Sequence, residues 1–164
     1  MISQDTETLS KSAQRVQDAI KSAGCEFRVL ELPGSTRTAE ESAHTIGCEL
    51  GQIVKSLIFK GKESGKPVLL LVSGSNRVKE KVVAKYLGEK LVKADAEFTR
   101  EVTGFAIGGI PPIGHLSNPI TYIDEDLLQY ETLWAAAGTP NAVFSLPAAK
   151  LESLTKGTVI AVKA

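Results

Sequence analysis

Two stretches of this chain combine residue types and spacings that could hold or stabilise charge. The first is Gly108-Gly109-Ile110-Pro111-Pro112-Ile113-Gly114-His115. Two adjacent prolines remove two backbone donors and fix φ at each. Three glycines permit left-handed conformations and the close approach of a backbone or a ligand. This spelling predicts a rigid loop with glycine N–H groups on offer, although it also suits a tight connection between two core elements. N–H groups of consecutive glycines can form an anion-binding concavity or an oxyanion hole for acyl transfer. His115, at the loop exit, titrates near neutrality when unperturbed and could assist proton transfer. A capping or surface role for it is the alternative.

The second stretch is Ile53-Val54-Lys55-Ser56-Leu57-Ile58-Phe59. Strand alternation puts Lys55 on one face with Ile53, Leu57 and Phe59, and Ser56 on the other with Val54 and Ile58. An ammonium buried without a partner costs several kcal/mol, on the order of a desolvated ion. Lys55 therefore either snorkels to an edge or lines a pocket that holds an anion or a polar ligand.

Other familiar constellations are missing. The chain has no Gly-x-Ser-x-Gly nucleophile elbow, no P-loop and no dinucleotide fingerprint after a strand. Cys25 and Cys48 lack metal-ligand spacing, no His-x-x-x-His pair occurs, and neither a metal nor a cofactor is expected. Reduced thiols are the simplest reading of the cysteines. Asp124-Glu125-Asp126 reads as a solvated turn at a strand end.

The elements that must position these residues are legible in the pattern. Apolar Leu9, Ala13, Val16 and Ile20 recur at helical spacing from Glu7 to Ala23. Cys25 to Leu32 alternates as a strand would, and Pro33-Gly34 stops it. Thr38-Ala39-Glu40-Glu41 has capping-box spacing and opens a short helix ending at Gly47, with Ala39, Ala43 and Ile46 inward. Ile53–Lys60 and Val68–Ser73 form a hairpin, and the unbroken run Val68-Leu69-Leu70-Leu71-Val72 marks a central strand covered on both faces. Helices are expected over 79–86 and from the Asp95 cap to Val102. Strands are expected over 91–94, 120–124, around 132–136, 142–146 and 157–162. Pro147 opens a last helix to about Leu154. Strands and helices mix without regular βαβ alternation, so the fold class is α+β with a mixed sheet.

Composition bounds the rest. The 164 residues are 43% apolar, and 19 basic side chains balance 19 acidic ones. That length fits one domain spanning 1–164. Zero formal charge draws the protein neither to DNA nor to membranes. Nucleic-acid contact would have to come from a local patch, for which Lys79, Lys81, Lys85, Lys90 and Lys93 are the available concentration. The N-terminus, Met1 to Glu7, is polar and acidic, unlike a signal peptide, and no apolar run approaches the roughly 20 residues needed to cross a bilayer. A cytoplasmic location is expected.

The order Ile53-Val54-Lys55-Ser56-Leu57-Ile58-Phe59, Gly108-Gly109-Ile110-Pro111-Pro112-Ile113-Gly114 and Ala136-Ala137-Gly138 resembles the YbaK/EbsC proteins, in the superfamily of prolyl-tRNA synthetase-associated editing domains. The resemblance covers roughly Phe27 to Val162. It implies a mixed β-sheet surrounded by helices, and hydrolysis of the ester of a mischarged aminoacyl-tRNA without a metal or cofactor. An aminoacyl-tRNA synthetase is a further implied partner. By the resemblance, Lys55 holds the terminal adenosine of the tRNA, and the backbone from Gly108 through Pro112 faces the scissile ester. Gly108, Gly109 and Lys55 are thus the expected catalytic set, with Ser56, Pro112, Gly114, His115 and Gly138 at the substrate. Ala136 stands where the cysteine-clearing branch carries serine, and the Pro111-Pro112 pair, His115 and Gly138-Thr139-Pro140 look more like branches that clear alanine, serine or threonine. A non-catalytic tRNA- or nucleotide-binding module using the same pocket is the alternative.

Overall fold

The computed structural model describes residues 8–163. The readings made on Met1–Glu7 lie outside these residues. The chain forms helices α1 (Lys11–Ser22), α2 (Ala39–Ile46), α3 (Glu80–Leu87), α4 (Ala96–Thr103) and α5 (Leu151–Thr155). Its strands are β1 (Leu30–Glu31), β2 (Ile53–Gly61), β3 (Pro67–Ser73), β4 (Leu91–Lys93), β5 (Ile120–Asp124), β6 (Thr132–Ala136), β7 (Ala142–Pro147) and β8 (Thr158–Ile160). All strands join one mixed sheet in the order β1-β7-β6-β2-β3-β5-β8, with β4 added beside β2. This is the α+β architecture read from the pattern.

β3 sits at the centre for the reason its composition suggested. Leu69 and Leu71 pack into a cluster with α1, Phe105, Phe144 and α5, while Val68, Leu70 and Val72 pack with Val83 of α3, Leu91 and Tyr122 on the other face. The hairpin register pairs Lys55 with Val72 and Ser56 with Leu71, so the two residues of interest stand on opposite faces of the sheet.

The helix ends follow local chemistry. The Thr38 hydroxyl accepts the Glu41 N–H at 3.1 Å, and Gly47 closes α2 in the left-handed region. Asp95 caps α4 by accepting the Phe98 N–H at 2.8 Å. Three expectations are corrected. The strand expected from Cys25 to Leu32 shrinks to Leu30–Glu31, because the Gln17 side chain of α1 takes the Phe27 carbonyl and the Val29 N–H that a ladder would have used. The buried residue of α2 is Ser42, whose hydroxyl donates to the Thr36 carbonyl, rather than its apolar neighbours. The helix opened by Pro147 starts as a 3₁₀ turn before α5.

The Gly/Pro loop between α4 and β5 is fastened at both ends by one side chain. Arg15 of α1 donates to the carbonyls of Gly104 (3.1 Å) and Gly114 (3.3 Å) and lies over the Phe105 ring at 4.3 Å. Among the described residues no helix is long and apolar enough to cross a membrane.

Candidate active site

β2 is flanked by β3 on one edge, but its other edge is shared. β6 pairs with it only at Ile53 and Val54, and β4 only from Phe59 to Gly61. Between them the sheet is split, and a cavity of about 310 Å³ opens against the bare stretch of β2. Its walls are the start of α2 (Thr38, Glu40), Lys55 and Ser56 of β2, Gly108 and the β6 terminus at Ala136. A second cavity of about 550 Å³ shares Glu40, Lys55 and Leu57 with it and is lined further by Phe59, Asn76 and Arg77. Lys55 borders both.

Lys55 is half-buried and has no carboxylate within ion-pair distance among the described residues; its Nζ donates to the Asn76 carbonyl at 2.6 Å. Burial pushes its pKa below the ordinary lysine range. Glu40 and Asp124 oppose that shift, and Arg77 adds to it. The sequence left open an edge or a pocket, and the side chain lines the pocket.

What holds that carbonyl escaped the sequence reading. The Asn76 side chain is buried and donates to Asp124 Oδ2 (2.8 Å) and Asp126 Oδ2 (2.9 Å). Asp124, 1% exposed, also accepts the N–H groups of Ser73 (3.0 Å) and Asp126 (2.9 Å). Lys163 closes the network on Asp126 (3.1 Å) and on Asn76 Oδ1 (3.2 Å). The Asp124-Glu125-Asp126 run is therefore not a solvated turn: Asp124 is the buried acceptor that fixes the loop carrying Lys55's partner. The one signal for it was the single Asn76 in a Ser/Gly turn after the central strand.

α2 aims its N-terminus at the cavity. Its cap satisfies the Glu41 N–H, and the N–H groups of Ala39 and Glu40 have no partner among the described residues. Such a helix start favours negative charge. The Thr38 cap was visible in the sequence, but only half of the expected capping box forms, because the Glu41 carboxylate accepts the Ser35 hydroxyl at 2.7 Å. Nothing local revealed what the helix start faced.

The loop contributes less than expected. Ala106-Ile107-Gly108-Gly109 is a turn in which the Gly109 N–H donates to the Ala106 carbonyl at 3.2 Å and Gly108 takes φ +102°, the positive angle a type II turn needs at its third residue. Gly108 lines the cavity, and its N–H has no partner among the described residues. Gly109 does not line it. Its donor is used within the turn, and its carbonyl accepts the Gly138 N–H at 2.8 Å. A Cβ on Gly109 would meet Gly138 and Thr139 backbone atoms at 2.8 Å, so this glycine serves close packing. Gly138 likewise packs against Ser12 of α1, where a Cβ would come within 2.7 Å of a carbonyl oxygen.

Pro112, Gly114 and His115 are also corrected. They line a separate cavity of about 240 Å³ beside Thr121 and Leu154. The His115 Nε2 lies 2.7 Å from the Pro111 carbonyl, and its ring meets Phe105 edge-on. Burial lowers its pKa; the Pro111 carbonyl opposes the shift and Arg15 adds to it. His115 is a packed residue that secures the loop from behind. Ser56 lines the cavity, and its hydroxyl is buried without a hydrogen-bond partner. No group of three metal-ligating side chains occurs among the described residues.

A half-buried lysine beside a free loop amide, at a split sheet and a helix N-terminus, suits a small acyl group on an anionic carrier. The family model of the aminoacyl-tRNA editing domain matches residues 34–154. The chain belongs to that family, whose members point to removal of amino acids from tRNA. It is 34% identical over 124 residues (73% of each chain) to EbsC of Enterococcus faecalis, a candidate Cys-tRNA(Pro)/Cys-tRNA(Cys) deacylase. It is 32% identical over 127 residues to YwhH of Bacillus subtilis, covering 77% of this chain and 80% of the relative. A crystal structure of a candidate trans-editing enzyme for prolyl-tRNA synthetase superposes with a TM-score of 0.90 at 49% identity, covering 96% of this chain and 99% of the other.

Proposed function

We propose that this protein is a free-standing aminoacyl-tRNA deacylase that clears a small amino acid from a mischarged tRNA. The reading rests above all on Lys55, which lines both a cavity of acyl size and a larger one that carries a second cation, Arg77. Water attacks the ester carbonyl carbon, the bond to the ribose oxygen breaks, and the free amino acid and the tRNA hydroxyl are the products. The Gly108 N–H donates to the oxygen as charge develops on it. A preorganised donor at that point acts more strongly in the transition state than in the ground state. Lys55, with Arg77 beside it, holds the phosphate and ribose of the terminal nucleotide. A hydroxyl of the tRNA itself activates the water, since His115 is turned into the protein.

The volume of about 310 Å³ lies at the low end of ligand pockets, which run from roughly 300 to 1,000 Å³. With Val54, Ile110 and Ala136 on its walls it suits a short side chain. Alanine, serine, threonine and cysteine differ by amounts that a pocket of this kind separates only about 10–200-fold. A prolyl-tRNA synthetase is the natural source of the misacylated tRNA, in keeping with the description of the solved relative.

The test is loss of labelled amino acid from a panel of mischarged tRNAs, with wild type and Lys55→Ala compared. Clearance of at least one small residue, slowed tenfold or more in the variant, supports the proposal. Binding of tRNA without turnover of any ester identifies a non-catalytic module and refutes it.

A further inference from the structure

The split in the sheet leaves one residue of β2 with both main-chain polar groups unclaimed. Even-numbered residues of β2 direct their N–H and C=O away from β3: the Ile53 carbonyl, an odd position, bonds Gly74 across β3, whereas the Lys62 N–H bonds Lys90 on the β4 side. On that outer edge Val54 is served by β6, and β4 reaches back only as far as its Phe59–Lys93 pair. Ser56 falls in the gap. Neither its N–H nor its C=O is claimed by β6, by β4 or by a loop among the described residues, and Ser56 lines the cavity with its hydroxyl buried and unpartnered. Its unclaimed peptide groups face the gap between β6 and β4.

Free edges invite the pairing of another extended backbone, and proteins normally cover them. Here the gap lies inside the sheet, between two strands, and is one residue wide. In an antiparallel ladder a hydrogen-bonded pair is two residues exchanging both N–H···O=C bonds. A single aminoacyl group carries the same two functions: an α-ammonium that donates and an acyl oxygen that accepts.

We propose that Ser56 receives the aminoacyl group as a one-residue strand, its carbonyl accepting from the substrate α-ammonium and its N–H donating to the acyl oxygen. This rests on the deacylase reading and adds to it. The site recognises the part common to all aminoacyl esters through main chain, and leaves side-chain selection to the cavity walls. Paired residues of an antiparallel ladder put their side chains on the same face, so the substrate side chain lies on the Ser56 face, beside Val54 and Ile110. The acyl group must then keep a free, protonated amine.

The experiment takes a mischarged tRNA that the wild-type protein clears and prepares two derivatives, the α-hydroxyacyl-tRNA made by nitrous acid deamination and the N-acetylaminoacyl-tRNA. Each enzymatic kcat/KM is divided by the spontaneous hydrolysis rate of the same ester, because the α-ammonium activates the ester by itself. The ratio is expected to fall tenfold or more for both derivatives. Replacing Leu57 by leucic acid turns the Ser56 carbonyl into a weaker ester acceptor, and this should narrow the preference for the free amine several-fold. Equal normalised rates for all three esters overturn the inference and leave the deacylase intact. Clearance of no aminoacyl-tRNA at all removes the deacylase reading, and this inference with it.

Discussion

Lys55 carries its charge where burial opposes charge, and that conflict can be measured. The cost of holding the ammonium is fully present below its lowered folded-state pKa and is relieved as pH rises from there toward the ordinary lysine value. Lys55→Met should therefore gain thermal stability relative to wild type at neutral pH, and the gap should close as pH climbs. Activity runs the other way. Wild-type kcat/KM should decline on the alkaline side at lower pH than an unperturbed lysine would give, whereas Lys55→Met is at least tenfold slower and lacks that limb. An unchanged alkaline limb in the variant would remove Lys55 from substrate binding. His115 supplies a contrast. Its folded-state pKa is depressed, so the stability it contributes is present above the ordinary histidine value and is lost as pH falls toward the lowered one. His115→Gln should flatten that acid limb in thermal melts and keep turnover within about twofold at pH 7.5. Asp124→Ala strips acceptors from Ser73, Asn76 and Asp126 in a buried site. Buried donors left without partners cost about 1–3 kcal/mol each. Chemical denaturation should register a loss of roughly 3 kcal/mol, beyond what an exposed aspartate would give.

At the scale of elements, the loop and the split sheet were legible to different degrees. The Gly/Pro loop announced its rigidity in its own spelling, and Thr38 announced the start of α2. Which glycine faces the cavity was not local information. Gly108 and Gly109 are indistinguishable as letters, yet one takes φ +102° with a free N–H and the other is wedged against the Gly138–Thr139 backbone. The same distinction predicts two different phenotypes. Gly109→Ala drives a methyl into backbone that cannot yield, so it should lower the melting temperature and activity together. Gly108→Ala meets only the flexible Arg37 stem, at 3.0 Å, and its main penalty is the positive φ, about 1–2 kcal/mol. It should fold, with its defect concentrated in kcat. Circular dichroism melts alongside deacylation rates separate the two cases, and equal stability of both variants would contradict the packing described for Gly109.

For the whole molecule, the balance of 19 basic and 19 acidic side chains decides how a polyanion can be held. With no global field, tRNA affinity must come from the few cations beside the cavity. The logarithm of kcat/KM should fall with the logarithm of salt with a shallow slope, and neutralising Arg77 or Lys55 should each reduce that slope by about 0.7–0.9, the share of one phosphate contact. A slope that both variants leave intact would move the RNA to another face, such as the lysines around α3.

Much of this protein was determined by sequence alone. The periodicities of β2 and β3, the caps of α2 and α4 and the Gly/Pro loop are written in residues that are neighbours along the chain, where propensity and alternation act. The pairing of a strand lysine with a downstream Gly/Pro loop was enough to point to the family. Only the tertiary structure decided that β6 leaves β2 at Val54 and β4 joins at Phe59, that Asp124 is buried under Asn76, and that His115 points away from the cavity. Each of these depends on strand register or on contacts between residues far apart in sequence. Register is set by which faces must be buried across the whole sheet, and no short stretch of residues carries that information.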